Sequence, residues 1–122
     1  VMDQRTSEEV WQEYSAALVE QSLADGKSVF VDVTAAWCIT CKANERVALS
    51  GDRFEALVND HDIVLIKADW TNPSPEVDSL IAGFNRDGVP LYAFYNQGNP
   101  VPEILPQILT FNLIEKLFTN GV

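Results

Sequence analysis

One histidine, one methionine and two cysteines are all the imidazole and sulfur that this chain of 122 residues contains. A soft-metal centre closed by several such ligands is poorly supplied, and two cysteines only two residues apart cannot make the disulfide framework of a small secreted fold. Positive charge is also scarce. Eight Lys and Arg stand against 18 Asp and Glu, a formal net charge of -10. That balance excludes nucleic acid and anionic membrane as natural partners, because both attract basic surfaces. It leaves room for steering toward a basic patch on a protein, and otherwise reads as a solvated acidic skin. No stretch approaches the roughly 18 consecutive apolar residues of a membrane span, and no basic region followed by an apolar run stands at the N-terminus. Internal repeats and low-complexity segments are missing as well.

The 47% hydrophobic content is enough for one well-buried core, so a single domain over 1–122 is expected. A start at Val1 is what a domain excised from a larger protein would show. Thr6 followed by Glu9 forms a capping-box pattern, and Val10, Tyr14, Ala17 and Leu18 recur at helical spacing, which predicts a first helix from Ser7 to Ala24. Val29 to Val33 reads as a strand covered on both faces, with Asp32 the exception inside it. Cys38 to Leu49 lacks Gly and Pro and stops at Ser50-Gly51, so the cysteines fall on the first turn of a helix. A short helical turn is expected over Phe54 to Val58 and a second buried strand over Ile63 to Ala68. Ser74-Pro75-Glu76 then opens a helix ending near Phe84.

Leu91 to Tyr95 reads as a third strand, and Asn96 to Asn99 as the turn of a hairpin. Its return strand, Glu103 to Leu105, is flanked by Pro102 and Pro106, which confines it to a sheet edge. A last helix, capped by Thr110, runs from Phe111 to Thr119. The fold class is α/β, with a central mixed sheet and helices on both faces.

Two cysteines at i and i+3 where a strand meets a helix N-terminus carry chemistry. The helix dipole and the free backbone N–H groups of the first turn stabilise a thiolate. Cys38 is expected as the exposed attacking thiol. Cys41, one turn deeper, is placed to resolve the mixed disulfide. The alternative is a structural pair with no turnover.

The run Phe30-Val31-Asp32-Val33-Thr34-Ala35-Ala36-Trp37-Cys38-Ile39-Thr40-Cys41-Lys42-Ala43-Asn44-Glu45 and the run Lys67-Ala68-Asp69-Trp70-Thr71-Asn72-Pro73 resemble the thioredoxin superfamily. Within it they look most like the C-terminal periplasmic domain of the DsbD and ScsB family of transmembrane thiol-disulfide reductases. The segments Val89-Pro90-Leu91-Tyr92 and Leu105-Pro106-Gln107-Ile108-Leu109-Thr110 look more like the copper-tolerance member, ScsB. The resemblance spans Lys27 to Phe118. It implies a thioredoxin-like fold and a periplasmic domain of an inner-membrane protein. Such a domain takes electrons from a membrane-embedded cysteine pair of the same parent and passes them to periplasmic thiol-disulfide proteins. The Cys38/Cys41 disulfide is then the whole redox equipment, with no separate cofactor and no metal. Ala36 departs from the family pattern, where an Asp commonly precedes the Trp.

On that pattern Asp32 and Glu45 are the acids flanking the pair, and the residues themselves agree. Glu45 follows Cys41 by four residues and Cys38 by seven, on one helical stripe, while Asp32 comes from the neighbouring strand. Negative charge beneath the sulfurs disfavours a thiolate and points to a reductant, and the dipeptide Ile39-Thr40 has no cation to oppose it. Either acid is placed to accept a proton from Cys41. The alternatives are a strand-end aspartate capping backbone and an exposed helix glutamate.

The resemblance also places a cis-proline loop at Val89-Pro90, with Val89 offering backbone groups to an extended partner segment. Trp37 is expected to shield or frame the site, with simple packing as the alternative, and Trp70 is a weaker candidate. His61 is expected to face solvent from a loop. Three other functions compete: a thiol oxidase or isomerase, a Cu(I)-binding module linked to copper tolerance, and an interaction domain without turnover. A monomer is expected.

Overall fold

The computed structural model describes residues 10–120. In chain order its elements are β1 (Gln12–Glu13), α1 (Ala16–Ala24), β2 (Ser28–Thr34), α2 (Ile39–Ala48), α3 (Asp52–His61), β3 (Ile63–Asp69), α4 (Pro75–Gly83), β4 (Leu91–Tyr95), β5 (Glu103–Ile104) and α5 (Phe111–Asn120). The strands form one sheet in the order β1-β3-β2-β4-β5. β2 pairs parallel with β3 from Ser28 opposite Ile63 to Thr34 opposite Asp69, and antiparallel with β4 from Val29 opposite Tyr95 to Val33 opposite Leu91.

Every residue of β2 is buried. A central strand covered on both faces needs apolar residues at successive positions rather than at alternate ones, which is why it reads as a continuous run. Alternation then sorts its side chains between two cores. Phe30 packs with Leu65, Tyr92 and Phe94 beneath α3 and α5, whereas Val29, Val31 and Val33 pack with Ile66, Val77, Ile81, Leu91 and Ala93. Phe30, Phe54, Phe94 and Phe118 form a connected set of ring contacts, with Phe94 and Phe118 stacked at 5.3 Å between centroids.

The sequence expectation fails at the N-terminal segment. A continuous helix from Ser7 to Ala24 is not formed; Ser7 to Glu9 lie outside the described residues, and Gln12 and Glu13 are extended, paired parallel with Ile66 and Lys67. The N–H of Tyr14 donates to the Lys67 carbonyl at 3.0 Å, continuing the ladder. Without this segment the outer edge of β3 would leave its backbone groups unpaired, and satisfying them outweighs local helical spacing. The helix starts only at Ala16, where the Ser15 hydroxyl caps it by accepting from the Leu18 N–H at 3.0 Å.

Smaller differences follow the same logic. The turn expected at Phe54 to Val58 is a full helix, Asp52–His61, which buries Phe54, Leu57 and Val58. His61 is exposed as expected, but as the last residue of that helix rather than in a loop. β5 is the short edge strand that its flanking prolines required. No helix among the described residues is long and apolar enough to cross a membrane.

Candidate redox site

The chain turns out of β2 at Thr34 and enters α2 within four residues. The Cys38 N–H donates to the Ala35 carbonyl at 3.1 Å, and Cys38 itself is the N-cap of α2, with extended backbone. Its Sγ accepts from the Cys41 N–H at 3.1 Å. Sulfur thus takes the place that a Ser or Asp oxygen occupies in an ordinary cap, at the positive end of the helix dipole. Cys38 and Cys41 are joined by a disulfide with Cα atoms 5.2 Å apart.

Cys38 is more recessed than an exposed nucleophile, at 8% accessible, while Cys41 is wholly buried at 0%. Ala35 and the half-buried Val89 pack around both. A partner sulfur can approach Cys38 alone. Access and the helix cap thus both distinguish Cys38 from Cys41.

Asp32 is fully buried, and neither of its carboxylate oxygens has a hydrogen-bond partner. It lies on the Phe30 face of β2, opposite Lys67 on one side and Tyr92 on the other. Burial, reinforced by the charge of Glu45 and only partly offset by attraction to Lys67, pushes its pKa from the ordinary 3.8 up to about 7. Glu45, half-buried on α2, accepts through Oε2 from the Thr34 hydroxyl at 3.1 Å. That bond ties the helix carrying Cys41 to the strand carrying Asp32. Asp32 is thus buried and caps no backbone group, and Glu45 is half-buried rather than exposed.

The Val89-Pro90 peptide bond is cis, and Pro90 is buried at the start of β4. Trp37 is 58% exposed beside Cys38. Its indole N–H donates to the Thr71 carbonyl at 3.2 Å, and its ring lies 6.1 Å from that of Trp70. The sequence-predicted residues Asp32, Trp37, Cys38, Cys41, Glu45, Val89 and Pro90 therefore gather around one strand-to-helix junction and the loop that faces it.

Three contributors were not singled out by sequence reasoning. Asn44, buried in α2 one turn after Cys41, donates to the Tyr92 hydroxyl at 2.8 Å and to the Gln107 carbonyl at 2.7 Å, and accepts from the Leu109 N–H at 3.0 Å. It fastens the active-site helix to the segment before α5. Burial, with the charge of Asp32, raises the pKa of Tyr92, so the phenol keeps its proton. Lys67 supplies the charge opposite Asp32 and lies 5.2 Å over the Trp11 ring. A polar residue at a core-facing helical position was the available signal for Asn44, and a lysine inside a buried strand was the signal for Lys67. Among the described residues, no group of three or more His, Cys, Asp or Glu is arranged to hold a metal ion.

The family profile described as thioredoxin-like matches residues 10–97. The thiol:disulfide interchange protein DsbD of Vibrio cholerae is 37% identical over 91 residues, covering 74% of this chain and 15% of that protein. DsbD of Photorhabdus laumondii is 30% identical over 94 residues, covering 76% of this chain and 16% of that protein. The chain thus spans about 15% of the length of these curated relatives. Among solved structures, the oxidised C-terminal domain of DsbD from Neisseria meningitidis superposes with a TM-score of 0.72 at 20% identity, over 92% of this chain and 99% of that one. A thioredoxin from Thermus thermophilus gives a TM-score of 0.67 at 16% identity, over 91% and 86%.

Proposed function

The chain belongs to the thioredoxin-like family, and from that premise we propose that it is a thiol-disulfide oxidoreductase domain working as a reductant. In this reading it passes electrons from a membrane-embedded cysteine pair of its parent protein to periplasmic thiol-disulfide proteins. The similarity to DsbD segments supports the family of reaction and the periplasmic setting. The observation that carries the direction is the buried, unpartnered carboxylate of Asp32 on the strand that leads into the cysteine pair.

In the reduced domain the Cys38 thiolate, held at the helix cap, attacks a partner disulfide. One S–S bond forms as another breaks, and the partner's leaving sulfur takes up a proton. Cys41 then attacks Cys38, releasing the second partner thiol and leaving the Cys38–Cys41 disulfide. Two electrons have moved to the partner. Asp32, poised near neutrality at about 7, accepts the proton that Cys41 gives up, because a group whose pKa lies near the working pH exchanges protons most efficiently. A buried carboxylate also works against any long-lived thiolate. An oxidant, by contrast, stabilises its reduced form through a thiolate of strongly depressed pKa.

The test is the equilibrium reduction potential of Cys38/Cys41, measured by thiol trapping across a dithiothreitol or glutathione series. A value between about -270 and -200 mV fits an electron donor; a value near about -120 mV, that of a strong oxidant, overturns the reading. Cys41→Ala then traps the partner as a mixed disulfide on Cys38.

A further inference from the structure

Beside Cys38 the surface carries a groove of about 230 Å³ lined by Trp37, Trp70, Thr71, Pro73 and Asp78. Along it two indole rings pack against each other, with centroids 6.1 Å apart and planes tilted at 52°. Each ring is pinned by its own N–H. Trp37 donates to the Thr71 carbonyl at 3.2 Å, and Trp70 donates to Asp78 Oδ1 at 2.7 Å. Thr71 is fixed in turn: its hydroxyl accepts from the Ala36 N–H at 2.8 Å, and both its N–H and its hydroxyl donate to Asp69 Oδ1. The exposed Trp37 ring is thus held in place without having to be ordered by a ligand, backed by the half-buried Trp70.

We propose that this groove is a subsite for a cationic side chain, arginine or lysine, of the segment being reduced, placed one or two residues from its disulfide-bonded cysteine. The inference rests on the exchange reading above. Trp37 is covalently next to Cys38, so a segment whose sulfur meets Cys38 brings its neighbouring side chains to the groove. The exposed face of Trp37 and the accessible part of Trp70 attract a cation through the ring quadrupole. Asp78 stands at the rim with a carboxylate, exposed apart from its bond to Trp70, and no lysine or arginine lines the groove. The net charge of -10 adds long-range attraction of the same sign.

The test follows the reduced Cys41→Ser domain attacking short cysteine peptides linked as mixed disulfides to thionitrobenzoate. The Cys38 thiolate bonds to the peptide sulfur, and the coloured thiolate leaves with the electron pair. Matched peptides carry Arg, Leu, Ala or Glu next to the cysteine, and one carries Arg at a remote position with the same net charge. The adjacent Arg peptide is expected to react about tenfold faster than the Ala peptide, a gain of cation–π size, and the remote Arg peptide less than about twofold faster. Asp78→Asn, which keeps an acceptor for the Trp70 indole, should remove most of the advantage while leaving reaction with small disulfides unchanged, and Trp70→Ala should lower the ratio of the adjacent Arg rate to the Ala rate to the same degree. Equal rates for adjacent and remote Arg, a faster Leu peptide, or a preference surviving both substitutions overturns the subsite while small disulfides still react. Failure to react with small disulfides as well removes the exchange reading, and the subsite with it.

Discussion

Asp32 and Lys67 stand opposite each other in the parallel β2–β3 register, yet neither Asp32 oxygen is hydrogen-bonded. An ammonium that formed a close ion pair would hold the carboxylate ionised. Instead burial wins over attraction to Lys67, and the group sits at about 7. The fold tolerates an acid that is cheaper to keep protonated, and this has measurable consequences.

Asp32 should weaken the oxidised domain as pH rises. Unfolded, the carboxyl ionises at its ordinary 3.8, while folded it holds its proton up to about 7. Below pH 3.8 both states are protonated and nothing is lost. Between the two values stability falls with pH, and above about 7 the loss is constant, about 4 kcal/mol at most by linkage. Asp32→Asn should therefore stabilise the oxidised domain by about 2–4 kcal/mol at pH 8 and by much less at pH 4. Urea unfolding at both pH values checks this; equal gains would refute it.

The two cysteines should differ in reach. When the domain is reduced, iodoacetamide is expected to modify Cys38 at least about tenfold faster than Cys41, because only Cys38 has accessible surface and sits at the helix cap. Peptide mapping after a short pulse reads the ratio, and comparable labelling would contradict the assignment of attacking and resolving roles.

Asn44→Ala should cost about 2–4 kcal/mol, since it strands the Gln107 carbonyl and the Leu109 N–H and removes the partner of the Tyr92 hydroxyl. Denaturant unfolding measures the loss. Because α2 would lose its tie to the segment before α5, hydrogen exchange should quicken first at Leu109. A loss below about 0.5 kcal/mol would show that water replaces all three bonds.

Gly98→Ala should destabilise by about 1–2 kcal/mol. Gly98 adopts φ +83°, and an added Cβ would meet the Leu23 carbonyl oxygen at 3.0 Å. Its N–H donates to the Lys27 carbonyl at 2.9 Å, so the turn after β4 is stitched to the start of β2. The midpoint of thermal unfolding is a sufficient readout, and an unchanged midpoint would show that the turn adapts.

The legible parts of this protein are those whose determinants are close together in the chain. β4 was read as Leu91 to Tyr95 and is found there, because five successive apolar and aromatic residues between turn signals leave little alternative. The cysteine pair was legible for the same reason, since i and i+3 at a strand-to-helix junction encode the cap directly. The Val89-Pro90 cis bond was read through family resemblance rather than from local signals.

What escaped the sequence depends on partners far away in the chain. Gln12 and Glu13 are drawn into a strand by the open edge of β3, more than fifty residues on, and no local pattern announces an edge that needs covering. Asn44 finds its acceptors at Tyr92 and Gln107, so its role exists only once α2 is packed against β4 and the segment before α5. The recessed position of Cys38 was likewise set by packing against Ala35 and Val89. The sequence by itself determined the element order from α1 onward, the central position of β2 and the identity of the reactive pair, through periodicity, turn residues and cysteine spacing. Only the tertiary structure decided which cysteine a partner can touch and left Asp32 buried without a hydrogen bond, because burial and electrostatic surroundings belong to the packed molecule and not to any one segment of the chain.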